Sequence, residues 1–177
     1  MSSLVMIDHF YKGNDTSTEL KVTGIDETYD RYLVIASRLT SHYNTSIDLR
    51  VTKSGTAHTS SDYESTGYNL NSNASGLTNR ANTGNTVIQF YNNNSGSNMY
   101  NSCTGFMYLY LTNFGNSSGY DYIDAHGVSE SNAQNGWATP LASCVVKNAS
   151  ASDGIVLTQS AGVNQLFMGQ LSLYGIV

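Results

Sequence analysis

Apolar and polar residues alternate along most of the chain. The clearest case is 46–53, where Ile47, Leu49 and Val51 are separated by polar residues. This period of two is typical of a strand with one buried and one solvated face. Similar patterns predict about eleven strands, at 4–11, 19–25, 31–39, 46–53, 63–70, 86–91, 105–112, 120–125, 141–147, 154–159 and 166–176.

Clusters of Gly, Asn, Ser and Asp separate these segments, at 13–15, 71–76, 92–98 and 115–119. Such residues tolerate positive φ or bond to their own backbone, so they favour turns. Short strands between turn clusters predict an all-β fold, an antiparallel β-sandwich with long polar loops, and the strand number suits a jelly roll. The segment 52–101 is poorest in apolar residues and could be a long variable loop system.

Length and composition favour one folded domain over 1–177. A chain of 177 residues can bury an adequate core without a metal or disulfide, and its 13 Tyr and 5 Phe argue against disorder. The eight basic residues are dispersed and the net charge is −5, so we expect no nucleic-acid partner. No apolar stretch approaches the ~20 residues of a membrane span, and the first residues do not read as a secretion signal. We therefore expect no membrane partner.

The chain has two cysteines, Cys103 and Cys144. Both lie beside strand-like apolar residues, and nothing in the sequence indicates an oxidising compartment. We therefore expect buried free thiols, with a disulfide between them as the alternative.

The sequence contains no His-Glu-x-x-His, no Walker loop and no Gly-x-Gly-x-x-Gly. A glycosidase needs two carboxylates that face each other, but Asp121 and Asp124 are three residues apart and would face opposite sides of a strand. The histidines are scattered singly and are expected to be structural or exposed: His9, His42, His58 and His126. We expect no enzyme activity.

An acidic cluster flanks a predicted turn, with Asp26, Glu27 and Asp30 close together. Its spacing does not match that of a calcium-binding EF-hand loop. We therefore interpret the cluster as a solvated loop rather than a calcium site, and expect no metal or cofactor.

Tyrosine is the chemical feature in excess. Tyr108 and Tyr110, and likewise Tyr120 and Tyr122, are two residues apart on predicted strands, so each pair shares one sheet face. The rings either line the core, which we expect, or form an exposed platform for protein or sugar. Trp137, in a predicted loop, either plugs the end of the sandwich or is an exposed binding ring. Tyr120, Tyr122 and Trp137 are the candidate protein or glycan contacts.

Both ends of the chain resemble phage proteins. Ser-Ser-Leu-Val-Met-Ile-Asp-His-Phe-Tyr-Lys-Gly-Asn-Asp-Thr-Ser at 2–17 and Tyr-Asp-Arg-Tyr-Leu-Val-Ile-Ala at 29–36 are similar to virion structural proteins of marine tailed phages, including phages of cyanobacteria. Ala-Ser-Asp-Gly-Ile at 151–155 and the closing segment at 167–177, which contains Leu-Tyr-Gly-Ile, resemble the last strand of phage particle proteins. The resemblance covers roughly the first 55 and last 30 residues. It implies a non-enzymatic β protein of an oligomeric virion, assembled in the host cytoplasm, and carries over no catalytic residue.

Two functions fit this resemblance. The first is a capsid decoration or cement protein, a homotrimer seated on the major capsid protein or other virion proteins, which stabilises the shell. The second is a tail-fibre tip or receptor-binding adhesin that recognises a host-surface glycan. A small glycan-degrading enzyme is the weakest interpretation.

Overall fold

The computed structural model describes residues 3–13, 19–41, 47–71, 77–90, 104–131, 136–159 and 167–177. This part of the chain contains thirteen strands and no helix, so no helix in it could span a membrane. The strands are β1 (Leu4–Lys12), β2 (Glu19–Thr23), β3 (Arg31–Ser41), β4 (Ile47–Lys53), β5 (Thr56–Ala57), β6 (Tyr63–Asn71), β7 (Leu77–Asn85), β8 (Ile88–Phe90), β9 (Thr104–Thr112), β10 (Asp121–Ser131), β11 (Gly136–Val146), β12 (Gly154–Gln159) and β13 (Phe167–Ile176).

The strands form two antiparallel sheets that pack face to face. The large sheet has eight strands in the order β1-β13-β3-β9-β10-β11-β6-β7. The small sheet has the order β2-β12-β4-β5, and β8 also pairs with β4. Each of the first four strands of the large sheet, β1-β13-β3-β9, is next along the chain to the strand at the same position in the small-sheet order β2-β12-β4-β8. The prediction of an all-β antiparallel sandwich is confirmed.

The core lies between the sheets and takes every second residue of the inner strands. On β9, Met107, Leu109 and Leu111 are fully buried, and the residues between them point outward. This burial of one face per strand is the main stabilising term, at roughly 1.5–3 kcal/mol for each large side chain. The large sheet is therefore covered on its inner face by the small one.

Strand β4 departs from its predicted pattern of one wet face. Its apolar residues are buried as expected, but Asp48 and Thr52 on the other face are buried as well. The side chain of Arg50 lies over that face, donating hydrogen bonds to the Thr86 carbonyl and the Thr158 hydroxyl. Thr52 donates to Asp153 at 2.6 Å. Side chains and a neighbouring segment thus replace solvent over the polar positions of this strand.

All eleven predicted strands have counterparts, and two further strands were not predicted. Strand β5 is only two residues long, and β7 reads Leu-Thr-Asn-Arg-Ala-Asn-Thr-Gly-Asn, without apolar alternation. As the edge of the large sheet, β7 needs no continuous apolar face. The proposed loop system at 52–101 is wrong for the described residues, because β6 and β7 form a hairpin there. Residues 91–101 lie outside the described part.

Cys144 is free and buried, as expected, and Cys103 lies outside the described residues. Burial raises the pKa of the Cys144 thiol to about 12, so little reactive thiolate forms at ordinary pH. In a Cys103→Ser variant, we expect N-ethylmaleimide at pH 8 to label Cys144 only after denaturant is added. Fast labelling of the native variant, followed by mass spectrometry, would contradict this burial.

Candidate functional site

The outer face of the large sheet, which points away from the small sheet, carries exposed aromatic rings. Phe106, Tyr108 and Tyr110 are the outward residues of β9, Tyr122 lies on β10, and Tyr68 lies on β6. Their side chains are between 39% and 52% exposed. We call these five residues the aromatic face.

Strand register places this face in rows, because directly opposite residues share a sheet face. Two rows cross β9, β10, β11 and β6 in that order: Tyr108, His126, Leu141 and Tyr68 in the first, and Tyr110, Asp124, Ser143 and Thr66 in the second. Tyrosine rings therefore stand at both ends of the first row and at one end of the second, and imidazole, aliphatic, carboxylate and hydroxyl groups fill the other positions.

Neighbouring contacts order the rings on β9. Phe106 and Tyr108 meet edge to face, with centroids 5.3 Å apart and planes at 71°. Leu33, also on the outer face, lies opposite Tyr110 on one side and Tyr174 on the other. It is nevertheless buried, although it does not belong to the core between the sheets. The outer face thus has a packed layer of its own beneath exposed rings.

Charged groups are few in the middle of this face. The Asp124 carboxylate accepts a hydrogen bond from the Ser143 hydroxyl at 2.7 Å. Toward one end of the strands, Lys147 and Glu64 form an ion pair at 2.7 Å. The centre is therefore polar and aromatic, with charge mostly at its margin.

A groove of about 400 Å³ crosses the face beside the aromatic rings. It is lined by Thr66, Gly67, Tyr68, His126, Leu141, Ala142 and Ser143. Gly67 lets β6 and β11 approach closely, since a Cβ there would overlap the carbonyl of Leu141. The volume is in the range of small-molecule sites, and the lining combines a ring with several hydrogen-bonding groups.

The three candidate contact residues from the sequence occupy different places. Tyr122 belongs to the aromatic face, whereas Tyr120 lies exposed just before β10, with its carbonyl bonded to Asn113 at 2.9 Å. Trp137 lies on β11 opposite Glu130, not in the predicted loop. The pairing register of distant strands cannot be read from the sequence. Sequence reasoning therefore misses Tyr68, His126 and Leu141, which this register brings together.

The expectation that the tyrosine pairs line the core is wrong. Tyr108, Tyr110 and Tyr122 all point outward, because the intervening aliphatic residues of β9 and β10 fill the space between the sheets. On β10 those core residues are Ile123 and Ala125. Both faces of β9 are apolar enough to be buried, so alternation alone does not say which face is covered.

The two edges of the large sheet differ sharply. On β1, Leu4, Val5 and Met6 are between 41% and 58% exposed. Successive strand residues point to opposite faces, so β1 presents apolar side chains on both of its sides. An unpaired apolar edge is a template for pairing with another chain. Strand β7, at the opposite edge, is mostly polar, with Thr83 exposed.

A polar network holds one end of the sandwich together. The His58 ring and the Asp62 carboxylate are 2.7 Å apart, and the Asn148 amide donates to the same Asp62 oxygen at 2.9 Å. Lys53 donates to Asn148 at 3.1 Å. The bonds from Asn148 and His58 lower the pKa of Asp62. These contacts tie β4 and the 58–62 segment to the segment after β11, so we assign the network to structure.

The remaining histidines and acidic residues are dispersed. His9, on β1, is exposed and lies 2.9 Å from the Ser172 hydroxyl, His126 is exposed on β10, and His42 lies outside the described residues. In the acidic segment, the Asp26 carboxylate accepts a hydrogen bond from the Thr28 amide at 2.8 Å, which closes a turn. Among the described residues, no three of His, Cys, Asp and Glu gather as metal ligands would.

Asp121 is fully buried where β10 begins. One carboxylate oxygen accepts a hydrogen bond from the Ser152 hydroxyl, and the other has no partner among the described residues. Burial raises the pKa of Asp121 to about 6. Asp124 points outward, so the two carboxylates face opposite sides of the sheet, as predicted.

The raised pKa of Asp121 makes the free energy of unfolding depend on pH. The folded protein binds this proton more tightly than the unfolded chain, whose pKa is near 3.8, so the stability that Asp121 provides falls as pH rises from about 4 to about 6. Asp121→Asn mimics the protonated side chain. We expect equal unfolding free energies near pH 4 and a variant more stable by about 1–2 kcal/mol at pH 7.5. Urea titrations across this range test it, and parallel pH profiles would contradict it.

The outer face of the large sheet carries exposed rings and a groove of mixed polarity, and the β1 edge of the same sheet, away from the groove, is apolar. Comparison of the chain with models of known protein families, with curated proteins and with solved structures finds no match.

Proposed function

We propose that the protein is a non-enzymatic structural protein of a phage virion, a capsid decoration or cement protein on the head surface that stabilises the shell. The observation that carries this proposal is the β1 edge, where Leu4, Val5 and Met6 expose apolar side chains on a strand whose second side pairs with no other described strand. Such an edge suits a chain that is built into an assembly. The resemblance of both chain ends to phage virion proteins supports the same role.

The order of the strands also supports the proposal. When β1 to β4, β8, β9, β12 and β13 are counted as eight strands, the large sheet holds the first, eighth, third and sixth, and the small sheet holds the second, seventh, fourth and fifth. This is the order of a jelly roll, an architecture common in viral capsid and lectin domains. We therefore propose a jelly roll in which β5 to β7, β10 and β11 are additions.

In this proposal β1 extends a neighbour's sheet, either that of a second copy or that of the major capsid protein. Main-chain hydrogen bonds along β1 would supply affinity, and the apolar side chains at 4–6 would supply contact area. A stable interface needs about 800 Å² from each partner, so surfaces on either side of β1 must contribute as well. A homotrimer provides three such interfaces at once, which raises the total affinity.

A second candidate function is a tail-fibre tip or receptor-binding adhesin for a host-surface glycan. The groove beside the aromatic face favours it, because its ring and hydrogen-bonding groups suit a sugar. The contact candidates from the sequence are Tyr122, which belongs to this face, Tyr120, which is exposed just before β10, and Trp137 on β11.

Counting copies per particle tests the decoration role. Quantitative mass spectrometry of purified virions would compare this chain with the major capsid protein. We expect a ratio near a simple fraction of the capsid protein. A ratio of a few per cent or less favours the adhesin, and absence from the particle would contradict both virion roles.

A further inference from the structure

We propose that the groove formed by β6, β10 and β11, together with the adjoining aromatic face, binds a neutral glycan chain. This inference gives a site and a ligand class to the second candidate function and rests on it for its biological setting. Its principal residues are Tyr68 and His126 in the groove and Tyr108 beside it. None of these was among the contact candidates from the sequence.

The arrangement of rings and polar groups matches the chemistry of a pyranose. One face of a sugar ring carries C–H groups that stack on aromatic rings, while its edge carries hydroxyls that donate and accept hydrogen bonds. Tyr68 and Tyr108 stand at the two ends of one row, with His126 and Leu141 between them. Ser143 and Thr66 supply hydroxyls from the neighbouring row. A sugar chain lying along the rows would meet rings and hydrogen-bonding groups in turn.

The exposed aromatic area is smaller than one side of a standard protein interface, so a protein partner would need flanking surfaces here as it would at β1. A tyrosine or phenylalanine offers about 150–250 Å² when fully exposed, so five rings exposed by roughly two-fifths to one-half give ~300–600 Å². A stable protein interface needs about 800 Å² from each side. The available area is that of a functional patch on a monomer, and an oligosaccharide of a few units could cover it.

The charges of the site favour a neutral ligand. No lysine or arginine is among the described residues that line the groove, so these residues offer no fixed cation to a phosphate or to an acidic sugar. The Asp124 carboxylate, which accepts a hydrogen bond from the groove residue Ser143, would repel anions. Neutral hydroxyls are the groups that remain suited to these partners.

The test uses the purified full chain and isothermal titration with defined probes. Cellohexaose, maltohexaose, laminarihexaose and mannohexaose are the neutral probes, and an alginate hexasaccharide is the acidic one. We expect at least one neutral hexasaccharide to bind with a Kd between about 10 μM and 1 mM, and no binding of alginate. Tyr68→Ser and Tyr108→Ser should each weaken binding about ten-fold or more.

The matched control is Tyr11→Ser, which removes an exposed tyrosine on β1, far from the groove. It should leave the Kd unchanged, and all three variants should remain folded at the titration temperature, as circular dichroism would show. The inference is overturned if none of the four neutral probes binds, if alginate binds in their place, or if Tyr68→Ser and Tyr108→Ser bind like the wild type. Particle copy number is measured separately, so loss of glycan binding with normal incorporation would reject this site and leave the virion role standing.

Discussion

Replacing Gly115 by alanine is expected to lower the free energy of unfolding by about 3 kcal/mol or more. Gly115 has φ of 77°, in the left-handed region, and a Cβ there would overlap the backbone carbonyl of Asp26. Its amide also donates to the Ser152 carbonyl at 2.9 Å. The variant must therefore adopt a strained backbone and separate two packed segments. Urea unfolding followed by circular dichroism measures the loss.

Gly55→Ala is the matched control for this substitution. Gly55 has a similar φ of 71°, but nothing lies within 4 Å of the position of its Cβ. It should lose only about 1 kcal/mol, the backbone cost alone. Equal losses in the two variants would show that the close approach of Gly115 to Asp26 contributes nothing.

The turn at Gly115 also bears on the binding surface. It joins β9 to β10, the strands that carry four of the five residues of the aromatic face. Packing against the Asp26 segment holds this turn in position. Because the turn connects β9 to β10, it helps to set the register in which these two strands pair. Loosening the turn should therefore disturb the rows of rings as well as global stability.

Introducing a charge on β1 should reduce incorporation into virions by about ten-fold or more. Met6→Lys places an ammonium group on the exposed apolar edge strand that we propose as the seat. Because Met6 is already exposed, the isolated chain should fold with unchanged stability. A partner strand, however, would have to desolvate the charge. Mass spectrometry of virions grown with the variant gives the copy number.

Thr83→Lys supplies the control on the opposite edge of the same sheet. Thr83 is an exposed residue of β7, so the variant adds the same charge without touching β1. It should be incorporated at the wild-type level. If Thr83→Lys lowers incorporation and Met6→Lys does not, the seat lies at β7 and the assignment of β1 is wrong.

The strands were largely predictable because their signal is local. In 46–53 the alternation of Ile47, Leu49 and Val51 is visible within a few residues, and all three are buried. Strand β7 is not predicted by the sequence, because a polar edge strand has no alternation of apolar and polar residues. Its pairing with β6 depends on a partner strand rather than on its own pattern.

The candidate site was only partly predictable. The spacing of Tyr108 and Tyr110 correctly placed them on one face, but not which face is covered, since that depends on the position of the small sheet. The groove depends on pairing between distant segments: Tyr68 meets Leu141 across β6 and β11. No local pattern in either segment encodes that register. Trp137 follows a glycine, so the sequence predicts a loop at this position. In the structure it belongs to β11.

Amide hydrogen exchange of β1 in free and particle-bound protein tests the central claim, that this chain is a virion component held through its apolar edge. Peptides that cover 4–12 would be followed by mass spectrometry in the purified chain and in intact virions. We expect exchange in this segment to slow by about ten-fold or more in the particle, while exchange at β7 stays the same. Unchanged exchange at β1 in particles that contain the chain would contradict the account.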